Sequence, residues 1–227
     1  MPIKVSTKDT TALGDSELAA MADLAEENQS GFDLGFLSKQ QEDWVLVTYA
    51  QSDDKIVGYS FYTLERIGGT PAILLGILSI RSGEDCSKIL KSIMADQFRK
   101  AVLAFPDEDV LIGCRLVSQY GYEILDSLED VVPRPGYKPT GEERAWARRL
   151  AKRFGAEHRL DDRSFLLSGE GHAEGHIEFS DPSLNGKHAS FDHLFEPINH
   201  EKYDSLCAFG WILAEDLASA ARPEEED

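Results

Sequence analysis

The sequence predicts an α/β protein of the α+β kind, a mixed sheet flanked by helices and followed by a loop-rich C-terminal extension. Three observations carry this. Two β-branched and aromatic runs, WVLVTYA (Trp44 to Ala50) and IVGYSFYTL (Ile56 to Leu64), flank the turn QSDDK and so read as an antiparallel hairpin. The run AILLGILSI (Ala72 to Ile80) is almost continuously apolar, as for a central strand covered on both faces. It breaks at Arg81 into RSGEDCS and restarts at once as a helical repeat through Val102. A further strand, DVLIGCRLV (Asp109 to Val117), follows. Strand, helix and strand then form a crossover unit, which sheet twist makes right-handed.

The remaining elements fall around this unit. DSELAAMADLAEENQ opens on a cap-competent Asp15 or Ser16 and spaces Leu18, Met21, Leu24 and Ala25 as one helical face. GFDLGFLSKQQ, rich in glycine and aromatic residues, reads as a loop. In the crossover helix Ile89, Leu90, Ile93, Met94, Phe98, Ala101 and Val102 share a face that must lie on the sheet. SQYGYEILDSL reads as a short helix, and VVPRPGYKP as a rigid proline loop interrupting regular structure. GEERAWARRLAKRFG is a helix with Glu142 and Glu143 in its first turn and Arg153 in its last, as the helix dipole prefers; Trp146 reads as its core contact. Beyond Gly169 the composition is that of loops, with IEF as a short strand, until SLCAFGWILAEDLASAA recovers the apolar character of a helix or of a strand and helix. The expected organisation is a main domain over 1–168, an extension over 169–221 packed on it, and a frayed acidic tail over 222–227.

Composition narrows the function classes. A hydrophobic content of 42 % over 227 residues supports a proper core. A net charge of -18 disfavours nucleic-acid binding, which needs clustered basic surface. Residues 134 to 163 run against that balance, with nine basic residues and five acidic ones, a face open to an anion or simply solvated. No run approaches the roughly 18–20 apolar residues that span a bilayer, and the opening MPIKVSTKDTTALGD lacks a signal-peptide core, so no membrane association and a cytoplasmic location are expected. Three separated cysteines, Cys86, Cys114 and Cys207, favour neither a disulfide framework nor a cysteine zinc site.

Several constellations could carry chemistry. The junction after Ile80 has the order of a phosphate site, because amides at a helix start carry a positive partial charge, yet it holds Glu84 and Asp85. Those acids are also reasonable caps without any ligand. Cys86 at the same helix start is placed where thiolate is favoured, the alternative being a small buried residue. GHAEGH sets His172 and His176 four apart with Glu170 and Glu174, but flanking glycines remove the firm helix that such metal spacing requires. His188, Asp192, His193 and His200 could join them only through the fold. No metal is expected.

The order helix, hairpin, central apolar strand, phosphate-type turn, helix, strand and short helix resembles the GCN5-related N-acetyltransferase (GNAT) superfamily over roughly residues 3 to 130. In that family the central strand splays from the next, the pantetheine arm of acyl-CoA inserts beside it, and a Q/R-x-x-G-x-G/A turn binds pyrophosphate. Arg81 matches the first position, while Glu84 and Cys86 stand at the glycine positions. The resemblance implies acetyl-CoA or another acyl-CoA as cosubstrate, met by Leu78, Ser79, Ile80, Arg81, Gly83 and Ser87. A small-molecule or peptide amine would attack the thioester, polarised by backbone N–H groups near Ser79. Tyr122 or Tyr120 would protonate the departing thiolate, a role suited to a phenol whose pKa lies near that of a thiol. The base would be Glu65 or Glu123. A homodimer is compatible with this reading. The other reading is a GNAT-derived module that no longer catalyses and instead binds a partner or regulates.

Overall fold

The computed structural model describes residues 3–181, 184 and 186–221. The tail expected over 222–227 lies outside them. A single mixed sheet organises the chain, in the order β1 (Lys4–Asp9), β2 (Leu46–Ser52), β3 (Lys55–Ile67), β4 (Thr70–Ile80), β9 (Ile177–Glu178), β5 (Val110–Leu116), β10 (Ser205–Ile212), β8 (Leu166–Leu167) and β7 (Leu160–Asp161), with β6 (Glu129–Val132) also paired to β10. Its N-terminal half is an antiparallel meander of β1, β2, β3 and β4. The crossover helix α3 (Cys86–Ala104) leads from β4 to β5, which runs parallel to β4. These are the predicted fold class and crossover.

Helices cover both faces. Gly58 lies directly under Ile89 and Ile93 of α3, which fixes the face of that helix. The next residue, Tyr59, pairs with Ser79 and points the other way, because side chains alternate across a strand. On that second face α1 (Asp15–Glu27) ends at Asn28, whose side-chain amide donates to Ser79 Oγ (2.8 Å) and to the Ile80 carbonyl (2.9 Å). Trp44 occupies the space over Gly76, where a Cβ would stand 2.0 Å from its ring, so the central strand needs glycine there. Its ring also meets Phe154, just past α4 (Gly141–Arg153), at 6.3 Å.

Several expectations are corrected. The segment expected to be a loop before Trp44 holds α2 (Leu34–Asp43), because the Asp33 carboxylate accepts from Phe36 N (2.7 Å) and Leu37 is fully buried. The N-terminal residues form β1, an edge strand with little buried side chain. The proline loop begins with a short strand, β6 (Glu129–Val132). SQYGYEIL is a 3-10 segment over Gln119–Leu125.

The division at residue 168 runs through the sheet itself. Strand β10 (Ser205–Ile212) pairs with β5 along its length, from Leu206 opposite Leu116 to Ile212 opposite Val110, and helix α6 (Ala214–Ala220) packs on α3. The outer pair β7 (Leu160–Asp161) and β8 (Leu166–Leu167) adds to β10, and α5 (Asp192–Phe195) lies in the loop-rich stretch before it. No helix among the described residues is long and apolar enough to cross a membrane.

Candidate functional site: the splay between the parallel strands

Strands β4 and β5 are paired only where Ala72, Ile73 and Leu74 face Leu111, Ile112 and Gly113. Further along they separate, and the gap opens towards the start of α3. This is the splayed slot that the family resemblance implies. It is filled by the chain itself. Strand β9 (Ile177–Glu178) enters from the C-terminal stretch and pairs with both neighbours: Ile177 stands beside Leu78 of β4 and Leu116 of β5, and Leu78 N donates to the His176 carbonyl (3.2 Å).

The residues around β9 explain why it stays. Gly175 runs against β4 so closely that a Cβ there would lie 2.8 Å from Gly76 O and 2.5 Å from Ile77 Cγ2. Ile177 and Phe179 are buried. Glu174, just before them, accepts from Arg115 Nη1 of β5 at 2.6 Å and pairs also with Arg159. Arg115 is 4 % exposed, and its guanidinium lies over the Phe154 ring (4.9 Å). Burial pushes its pKa down, and Glu174 pulls it back up. The His176 ring packs on Phe32 from the α1–α2 connection, with centroids 4.8 Å apart.

At the other end of the segment Asp181, 1 % exposed, accepts from Ser87 Oγ at 2.6 Å in the first turn of α3. A carboxylate thus stands where the resemblance puts phosphate, and the partial positive charge of the helix start favours it there. Next to it the Cys86 thiol donates to the Ser180 carbonyl (3.7 Å). Burial, with the nearby Asp181, pushes the Cys86 pKa up to about 12, so the thiolate considered from the sequence does not form at neutral pH.

The other expected cofactor residues are spent on the fold. Leu78, Ser79 and Ile80 are buried in the sheet, the latter two held by Asn28. Arg81 N donates to Val57 O (2.9 Å), and its side chain lies 3.6 Å from Glu27. Gly83 adopts φ +145°, which glycine alone tolerates easily, and its carbonyl accepts from Cys86 N (3.2 Å). Asp85 occupies the N-cap position of α3 without a side-chain capping bond, contrary to the role considered for it. The slot, the Leu78 amide of its central strand and the Ser87 hydroxyl at the helix start each have an intramolecular partner.

The proposed acid and bases stand elsewhere. Tyr122 is 2 % exposed, donates from its hydroxyl to Pro133 O (2.8 Å) and lies against Phe191 (4.0 Å) and Phe195 (6.1 Å). Burial, with nearby Cys114, raises its pKa far from that of a thiol. Tyr120 is half-buried against the core. Glu65 forms a two-pronged pair with Arg153 (2.6 and 2.7 Å). Glu123 lies with Asp126 and His188, its carboxylate bound by Lys187 Nζ (2.6 Å) and His188 Nε2 (3.0 Å). Lys187 also pairs with Asp126, so one ammonium bridges the two carboxylates of this cluster. His172 and His176 do not join it.

Reasoning from sequence missed Asn28, Arg115 and Asp181, and it read Glu174 only as part of a metal-like motif. One signal was present: Arg115 interrupts an apolar strand, and a buried cation there requires an acid from elsewhere in the chain.

No family model and no curated protein matches this chain. Solved structures are similar to parts of it. An aminoglycoside 6'-acetyltransferase type Ii is 14% identical, with a TM-score of 0.42, over 58% of this chain and 87% of its own. A ribosomal-protein-S18-alanine N-acetyltransferase from Escherichia coli is 10% identical, with a TM-score of 0.42, over 61% and 86%. An aminoglycoside N-acetyltransferase solved with CoA is 14% identical, with a TM-score of 0.37, over 47% and 74%. The described residues form a mixed α/β fold, to part of which these acetyltransferase structures are similar.

Proposed function

We propose that this chain is a GNAT-derived binding or regulatory module that does not use acyl-CoA. One observation carries the reading: the splay between β4 and β5, where the family resemblance seats pantetheine, holds residues Gly175 to Glu178 of the same chain. Placement of Asp181 at the start of α3 and of Tyr122 beneath Phe191 supports it. An N-acyltransferase acting on an amine is the competing reading, and likeness of fold is what speaks for it.

Thermal unfolding with and without CoA or acetyl-CoA separates the two. Ligand at 100 times its dissociation constant adds about 2.7 kcal/mol, and each kcal/mol moves Tm by roughly 2–4 °C in a domain of this size. No shift at millimolar ligand is expected. A shift of several degrees, together with acetylation of an amine acceptor, would return the chain to the acyltransferases.

A further inference from the structure

We propose that the resident ligand of the β4–β5 slot is the segment running from Glu174 to Asp181, a covalent stand-in for the coenzyme. This deepens the non-catalytic reading and rests on it. The segment meets the slot by each kind of contact an extended phosphorylated ligand would make. Its backbone continues the sheet, with the His176 carbonyl taking the Leu78 amide and Ile177 paired to both walls. Its apolar side chains, Ile177 and Phe179, are 1 % and 2 % exposed. Its trailing carboxylate, Asp181, sits on Ser87 at the helix start. Its leading carboxylate, Glu174, answers Arg115 and Arg159.

Those contacts make it a fixture and not a loosely laid strap. Withdrawal would leave the Arg115 charge buried without its acid and would expose Phe179 and Ile177 together. Gly175 adds a geometric condition, since only a residue without Cβ can follow β4 this closely. A tethered ligand is also present at an effective concentration that free coenzyme must exceed. The slot is therefore closed to acyl-CoA in the folded chain.

Hydrogen exchange on the full-length protein tests this at one amide, Leu78 N, whose acceptor is the His176 carbonyl. In the native chain it should exchange as slowly as the amides shared by β3 and β4, and millimolar CoA should leave its rate unchanged. Glu174→Gln keeps the size of the side chain and removes its charge. It should speed exchange at Leu78 roughly tenfold or more relative to the β3–β4 amides, the signature of local opening. Should that variant fail to fold, Asp181→Asn loosens the other end and should act in the same direction.

A fast Leu78 amide in the native chain, unaffected by CoA, overturns the resident-ligand proposal and leaves the non-catalytic reading standing. A Leu78 rate that changes when CoA is added to the native chain, with acetylation of an amine acceptor, overturns both. Equal exchange at Leu78 in native and both variants, all folded, overturns the anchoring roles given to Glu174 and Asp181 and with them the proposal.

Discussion

Arg115 Nη1 and the Glu174 carboxylate meet 2.6 Å apart inside the protein, across 59 residues of sequence. The first belongs to β5, one wall of the slot, and the second introduces the strand that fills it. Their pairing joins two stretches that the sequence alone presents as a domain and its extension. The energetic sense of the pair is asymmetric, since removing Glu174 strands the buried Arg115 charge as well as Arg159, while removing both partners leaves only the more exposed Arg159 without this carboxylate.

Glu174→Ala is accordingly expected to cost about 3 kcal/mol or more, whereas Arg115→Leu with Glu174→Leu costs less than that single change. Urea unfolding followed by circular dichroism measures both. A double variant weaker than Glu174→Ala would contradict the assignment of the pair as the lock on this segment.

Gly175→Ala places a methyl group against the Gly76 carbonyl and Ile77. Backbone must move to admit it, at a cost of about 1–3 kcal/mol. Gly141→Ala is the control, because a Cβ at the first position of α4 meets nothing within 4 Å; it should be neutral or slightly stabilising. Equal Tm values for the two variants would show that β9 does not follow β4 as described.

Tyr122→Phe removes the hydroxyl that binds Pro133 O and keeps the ring between Phe191 and Phe195. A loss of about 1 kcal/mol is expected from the unpaired carbonyl. Any acyl transfer detected in the native protein should persist in this variant, and its disappearance would restore Tyr122 as an acid.

The three cysteines should be inert in the native state. Cys86 and Cys207 are both pushed up to about 12 by burial, and Cys114 is raised in the same way. Thiol titration with a chromogenic disulfide at pH 8 should find none reactive before denaturant is added and all three afterwards. Fast labelling of Cys86 would contradict the packing of Asp181 and Ser180 against it.

Acid stability should depend on Glu123. Burial acts upward on its pKa, but hydrogen bonds and charge from Lys187 and His188 outweigh this and hold it below the ordinary 4.5. A folded-state pKa below the unfolded one adds stability above about pH 4.5, and that stability is lost as pH falls through the lower folded value. Glu123→Gln should therefore destabilise at neutral pH and flatten the fall in stability below pH 4.5. An unchanged acid limb would remove Glu123 from it.

Much of the sheet was legible because its elements announce themselves locally. β2 to β5 are apolar or β-branched runs between turn signals, and α1, α3 and α4 carry clear helical periodicity. β1 was not, since an edge strand such as KVSTKD buries little and needs no apolar stripe. α2 was hidden by its Gly, Phe and Asp composition, although Asp33 was its cap. The site was legible only as a place. Arg81, Gly83 and Ser87 stand where the splay and helix start are, but what fills the splay depends on pairing between residues about a hundred positions apart, which no local pattern encodes. Glycine, proline and histidine between Gly169 and His200 read as loop apart from IEF, which holds β9; its place between β4 and β5 is what the local pattern does not carry.

Calorimetric titration of CoA into the native full-length chain tests the central claim most directly. With residues 174 to 181 seated between β4 and β5, no saturable heat is expected up to millimolar CoA. A saturable isotherm with a micromolar dissociation constant would contradict the account.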